Sequence, residues 1–257
     1  MPPHSLSLTK RGSYFQLSRS ARYSVLFALP LLIGYEGLAA ALSGPRSASQ
    51  IRNGADVLLK DAFIAVAGHN GPLIFIAAVI GIGIWFVSRD IKASGQGIRP
   101  IVFGGMLAES LALAGIFGIV IGTITVKLLG SLHLAAMTIS SAQPIAQMSW
   151  ATRLMLSLGA GLYEELLFRV LLVSALAAGA RTVFGWGVKG AGVFATLVGA
   201  LIFSAFHYIG PFGDPFRLTS FTFRAISGVA FSALYLLRGF GITAWTHALY
   251  DAFLLLG

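Results

Sequence analysis

Residues 150–178 read WATRLMLSLGAGLYEELLFRVLLVSALAA, an apolar run whose only charged residues are Arg153, Glu164, Glu165 and Arg169. A helix that crosses a bilayer needs about 20 mainly apolar residues, so the run predicts a crossing that carries polar groups inside it. Comparable runs lie at 23–42, 71–87, 101–126, 191–209, 221–237 and 241–256. Together they predict an all-α, polytopic transmembrane helical bundle of about seven crossings. No soluble domain fits between the runs.

Composition supports this reading. The 257 residues are 56% hydrophobic and 11% charged, and the mean hydropathy is +0.84; an ordinary soluble domain carries roughly a quarter charged residues. The absence of cysteine excludes disulfides, thiolate nucleophiles and sulfur-ligated zinc. A formal net charge of +9 would be compatible with nucleic acid, but the cations are scattered between apolar runs, so no nucleic-acid partner is expected. They read as topology signals for a multi-pass membrane protein. More of them fall on the side of the tail than opposite it, which places the N-terminus in the cytoplasm.

Residues 1–22 form a polar tail with Lys10, Arg11, Arg19 and Arg22. The run that follows ends in a small-residue stretch resembling a signal-peptidase site, but it is long for a signal core and contains Glu36, so it reads as a retained crossing. Residues 55–67, ADVLLKDAFIAVA, are too few to span and predict a short amphipathic helix on the membrane surface. Residues 23–149 are read as accessory helices with this surface segment, and residues 150–257 as the core that carries the chemistry in the last four crossings.

Ionisable groups inside apolar runs are costly and need a partner, a wet cavity or a function. Here they include Glu36, Glu109, Glu164, Glu165, Arg169, His207, His247 and Asp251. Glu165 and Arg169 have i, i+4 spacing and share a helix face, whereas Glu164 points about 100° away. Glu165 is then the partner of Arg169 and Glu164 is left to face a cavity, or all three make one interhelical ion-pair knot. Phe203 and His207 share a face by the same spacing, and the histidine alone would serve as a packing residue. His247 and Asp251 repeat the spacing, as a local pair or as part of a larger centre. Taken together, two glutamates, two histidines and an aspartate on three segments are the kit for activating water.

The ordered motifs Glu164-Glu165-x-x-x-Arg169, Phe203-x-x-x-His207 and His247-x-x-x-Asp251 resemble the three signatures of the CAAX-protease and bacteriocin-processing (CPBP, Abi) family of intramembrane endopeptidases, which is related to the type II CAAX prenyl protease. The resemblance covers about residues 150–257. It implies a bacterial inner-membrane enzyme that cleaves a membrane-associated peptide or protein. Glu164 is then the general base, His207 its partner on the water, and His247 with Asp251 the stabiliser of the oxyanion; Glu165, Arg169 and Phe203 give support. Position 251 is often Asn in that family and is Asp here. Metal-free, glutamic-type catalysis is the preferred reading, and zinc held by Glu164, His207, His247 and Asp251 is the alternative. A non-catalytic immunity or scaffold protein and a proton-coupled transporter are the competing functions; against the transporter, no internal pseudo-repeat is visible.

Overall fold

The computed structural model describes residues 12–43, 51–130, 148–210 and 213–256. Every regular element among them is helical: α1 Tyr14–Ser18, α2 Ala21–Leu42, α3 Gly54–Ala67, α4 Gly71–Ser94, α5 Pro100–Gly130, α6 Trp150–Phe184, α7 Val188–Phe206, α8 Leu218–Arg238 and α9 Phe240–Leu256. Six stretches are long and apolar enough to cross a membrane: α2, the α3–α4 stretch Gly54–Ser94, α5, α6, α7 and α8. The protein is thus a multi-pass helical bundle. Its outer surface carries exposed apolar side chains such as Leu73, Ile82, Ile119, Val193 and Leu197, as a lipid-facing surface requires.

Among the described residues the expected seventh segment, α9, stands apart from these six. This helix has 17 residues and packs against α2, α5, α6 and α8, with Ile242, Thr243, Ala244, Thr246, His247 and Ala248 all buried. It runs through the centre of the bundle, where protein replaces lipid around it and full bilayer length is not demanded.

Residues 55–67 form a short helix, as their length and pattern predict. The segment forms α3, and Gly68, at φ +60°, turns the chain so that α4 packs back along it. Two of its charged side chains, Asp56 and Lys60, are buried within the protein, and Lys60 Nζ lies 2.7 Å from Glu36 on α2 and 2.7 Å from Asp56. Tyr35 on α2 donates to Asp56 at 2.8 Å, and Tyr163 on α6 donates to Glu36 at 2.5 Å. These groups satisfy one another, which fastens α3 to α2 and α6.

Within α6, residues Ala160–Val173 are π-helical. Each backbone bond there reaches i→i+5, so the side chains are spread differently from an α-helix and the stretch is wider; such segments are rare and favour functional positions. Flanking glycines let neighbours close on it. A Cβ at Gly161 would lie 2.3 Å from the Ala244 carbonyl oxygen of α9, and one at Gly159 would lie 2.5 Å from the Tyr35 ring of α2.

Candidate active site

The π-helical stretch sends its two adjacent glutamates to different neighbours. Glu164 accepts a hydrogen bond from Asn53 Nδ2 at 2.7 Å through Oε1, while its Oε2 lies 4.0 Å from His207 Nε2. Glu165 accepts from His247 Nδ1 at 2.7 Å through Oε1, and its Oε2 lies 3.2 Å from Arg169 Nε. Glu164, Glu165, Arg169 and His247 are buried, whereas His207 and Asp251 are partly exposed, with side-chain exposures of 24% and 26%. The approach to the cluster is therefore on the His207 and Asp251 side.

Each histidine is oriented by one ring nitrogen. His207 lies one residue beyond the end of α7, and its Nδ1 donates to the Phe203 carbonyl at 2.9 Å. A carbonyl only accepts, so this bond places the proton of the neutral ring on Nδ1 and leaves the Nε2 lone pair toward Glu164. His247 Nδ1 is committed to Glu165, and its Nε2 lies 3.7 Å from Asp251 Oδ2. The i, i+4 spacing of His247 and Asp251 thus brings them near each other, but the short bond that fixes the ring comes from another helix.

Aromatic rings pack the charged groups. The Arg169 guanidinium sits 4.4 Å over the Phe203 ring, and none of its nitrogens has a hydrogen-bond partner among the described residues. Its charge is met by Glu165 and by the ring face. Phe203 also presents its ring edge-on to His207, with centroids 5.0 Å apart. Phe231 on α8 stacks on His247 at 4.4 Å and 21°, holding the imidazole plane.

All seven residues singled out in the sequence, Glu164, Glu165, Arg169, Phe203, His207, His247 and Asp251, are neighbours in this one region. Two contributors were missed. Phe231 carries no motif. Asn53 precedes an apolar helix as an N-cap residue should, a local signal that gives no hint of its reach to Glu164. No group of three or more His, Asp or Glu among the described residues is arranged to hold a metal ion.

A helical bundle with carboxylates and imidazoles gathered at its centre defines a polytopic membrane protein with a buried polar site. A family model described as Type II CAAX prenyl endopeptidase Rce1-like matches residues 146–253, less than half of the chain but the part that holds all seven residues. Over this segment the chain is similar to the type II CAAX prenyl endopeptidases, as the three motifs led one to expect. No curated protein and no solved structure matches the chain.

Proposed function

We propose that the protein is an intramembrane endopeptidase that hydrolyses a peptide bond in a membrane-associated peptide or protein, with Glu164 and His207 activating water. The family supports the protease class. The observation that carries the mechanism is the 4.0 Å separation of Glu164 Oε2 from His207 Nε2. Both atoms are acceptors in the carboxylate and neutral-imidazole forms, so they cannot bond each other. A water between them donates one proton to each, which is the geometry a general base needs.

Glu164 takes a proton as the water oxygen attacks the scissile carbonyl carbon, and the C=O π pair moves onto oxygen. Glu164 then returns that proton to the amide nitrogen as the C–N bond breaks, giving a carboxylic acid and an amine. His247 serves the oxyanion in its doubly protonated form, with Nδ1–H held by Glu165 and Nε2–H free to donate. Asp251 Oδ2, 3.7 Å from Nε2, balances the imidazolium charge. An ionised Asp cannot donate to an oxyanion as an Asn can, and this role beside the ring fits an acceptor at position 251.

The reading is metal-free. It needs only one water bonded to both Glu164 Oε2 and His207 Nε2, which lie 4.0 Å apart, close enough for one molecule to reach both.

Purified protein in detergent, incubated with a library of membrane-associated peptides, tests the proposal. Cleavage is expected to fall at least about a hundredfold in Glu164→Ala and to be unaffected by a chelator. Undiminished cleavage in Glu164→Ala overturns the reading. Loss of wild-type cleavage in chelator, restored by Zn²⁺, overturns its metal-free part.

A further inference from the structure

The family match begins at residue 146, yet the shortest contact to Glu164 comes from residue 53. We infer that Asn53, supplied by the N-terminal helices, is a positioning residue that aims the Glu164 carboxylate at His207. The inference rests on the proposed role of Glu164 as general base.

The geometry of Asn53 leaves its amide one orientation. It is the N-cap of α3, and its Oδ1 accepts from the backbone N–H of Ala55 at 2.9 Å and of Asp56 at 3.4 Å. Those donors fix which end of the amide is oxygen, so Nδ2, a donor, must face the other way. There it meets Glu164 Oε1 at 2.7 Å, a bond with both residues buried. A flipped amide would set an NH₂ against two N–H groups and an oxygen against a carboxylate, losing every bond at once.

Asn53 is itself held. Its backbone N–H donates to the Tyr35 hydroxyl at 3.2 Å, and that hydroxyl donates to Asp56 at 2.8 Å. A Cβ at Gly159, one turn before Glu164, would lie 2.9 Å from the Asn53 Cβ, so the absence of a side chain there lets α3 come this close to α6. One oxygen of Glu164 is thereby tied down, and rotation of the carboxylate about its long axis is stopped with the second oxygen 4.0 Å from His207. A base whose attacking oxygen is held in line gains through orientation, an effect on the chemical step more than on substrate binding.

Two substitutions keep the helix cap and remove the contact. Ser caps a helix as well as Asn does but is too short to reach Glu164; Asp caps equally well and turns a carboxylate toward it. Asn53→Ser is expected to lower kcat about tenfold with KM and thermal midpoint little changed, and Asn53→Asp to lower kcat further. A purely structural role would instead lower the thermal midpoint of Asn53→Ser and leave its kcat unchanged. The contact itself is read without substrate: Asn53→Asp combined with Glu164→Gln exchanges donor and acceptor. The double variant is expected to regain in thermal midpoint what Asn53→Asp alone loses. Wild-type kcat in Asn53→Ser, with Glu164→Gln inactive, overturns the inference and leaves the proposed function standing. Activity in Glu164→Gln overturns the proposed function itself. Additive midpoints in the Asn53–Glu164 cycle show that the bond does not form, and also overturn the inference.

Discussion

Arg169 is a guanidinium buried to 1% exposure, facing the fully buried Glu165 at 3.2 Å. Removing one member of a buried ion pair leaves the other charge without a counterion, which costs about 3–5 kcal/mol. Arg169→Ala is therefore expected to lower the thermal midpoint strongly, and Arg169→Lys to recover only part of it, because an ammonium lacks the planar face that lies 4.4 Å over Phe203. Thermal unfolding in detergent measures both; an unchanged midpoint in Arg169→Ala would remove the pair from the structure's essential contacts. Glu165 stands between Arg169 and His247, so its loss would release the imidazole as well as the guanidinium.

Among the elements, α6 and α9 make the closest approach that matters for the site. Gly161 faces the Ala244 carbonyl and Ala248, and a Cβ there would lie 2.6 Å from the Ala248 Cβ. Gly→Ala inside a helix ordinarily stabilises by up to about 1 kcal/mol. At Gly161 the sign reverses, because α9 must move and overpacking costs about 1–3 kcal/mol. The same displacement lengthens the His247–Glu165 bond, so cleavage is expected to fall together with stability. Gly115→Ala on α5 is the matched control, since nothing lies within 4 Å of a Cβ there. Equal midpoints for the two variants would contradict the close packing of α6 on α9.

At the scale of the whole molecule the bundle has two distinct ends. At one, Tyr14 donates to Glu109 at 2.6 Å, Arg238 lies 2.5 Å from Glu109, and Arg22 pairs with Asp90 and donates to Ser94, joining α1 and the end of α8 to the first part of α5, and the start of α2 to the end of α4. At the other, Arg153 donates to the Leu255 carbonyl at 2.6 Å and Ser204 to the Phe221 carbonyl at 2.7 Å, joining the start of α6 to the end of α9 and the end of α7 to the start of α8. His207 and Asn53 belong to this second end, away from α1. The chain has no cysteine, so single-cysteine variants report sidedness directly. With the N-terminus cytoplasmic, as the cation distribution proposes, Gly97→Cys and Gly187→Cys are expected to resist an impermeant thiol reagent in intact cells, and Pro215→Cys to react. Labelling of Gly97→Cys and protection of Pro215→Cys would reverse the orientation; labelling of all three from one side would break the two-ended arrangement.

Hydropathy alone determined that this chain is a helical membrane bundle, because runs such as 150–178 leave backbone polar groups no partner in lipid except their own helix. The three motifs were equally legible, since i, i+4 spacing is a local property and charged residues in apolar runs stand out. Which group meets which was not local. Spacing paired His247 with Asp251, but the short bond runs from His247 to Glu165 on another helix, and the π-helical stretch changes the angle between Glu164 and Glu165 that α-geometry assumes. The central path of α9 depends on four helices packing around it, so its 17 residues could not be told in advance from a lipid-facing crossing. Asn53 is separated from Glu164 by 111 positions. Sequence offered it only as a helix cap, and tertiary packing alone made its amide a neighbour of the glutamate, because that contact exists only once α3 has docked against the glycine at position 159.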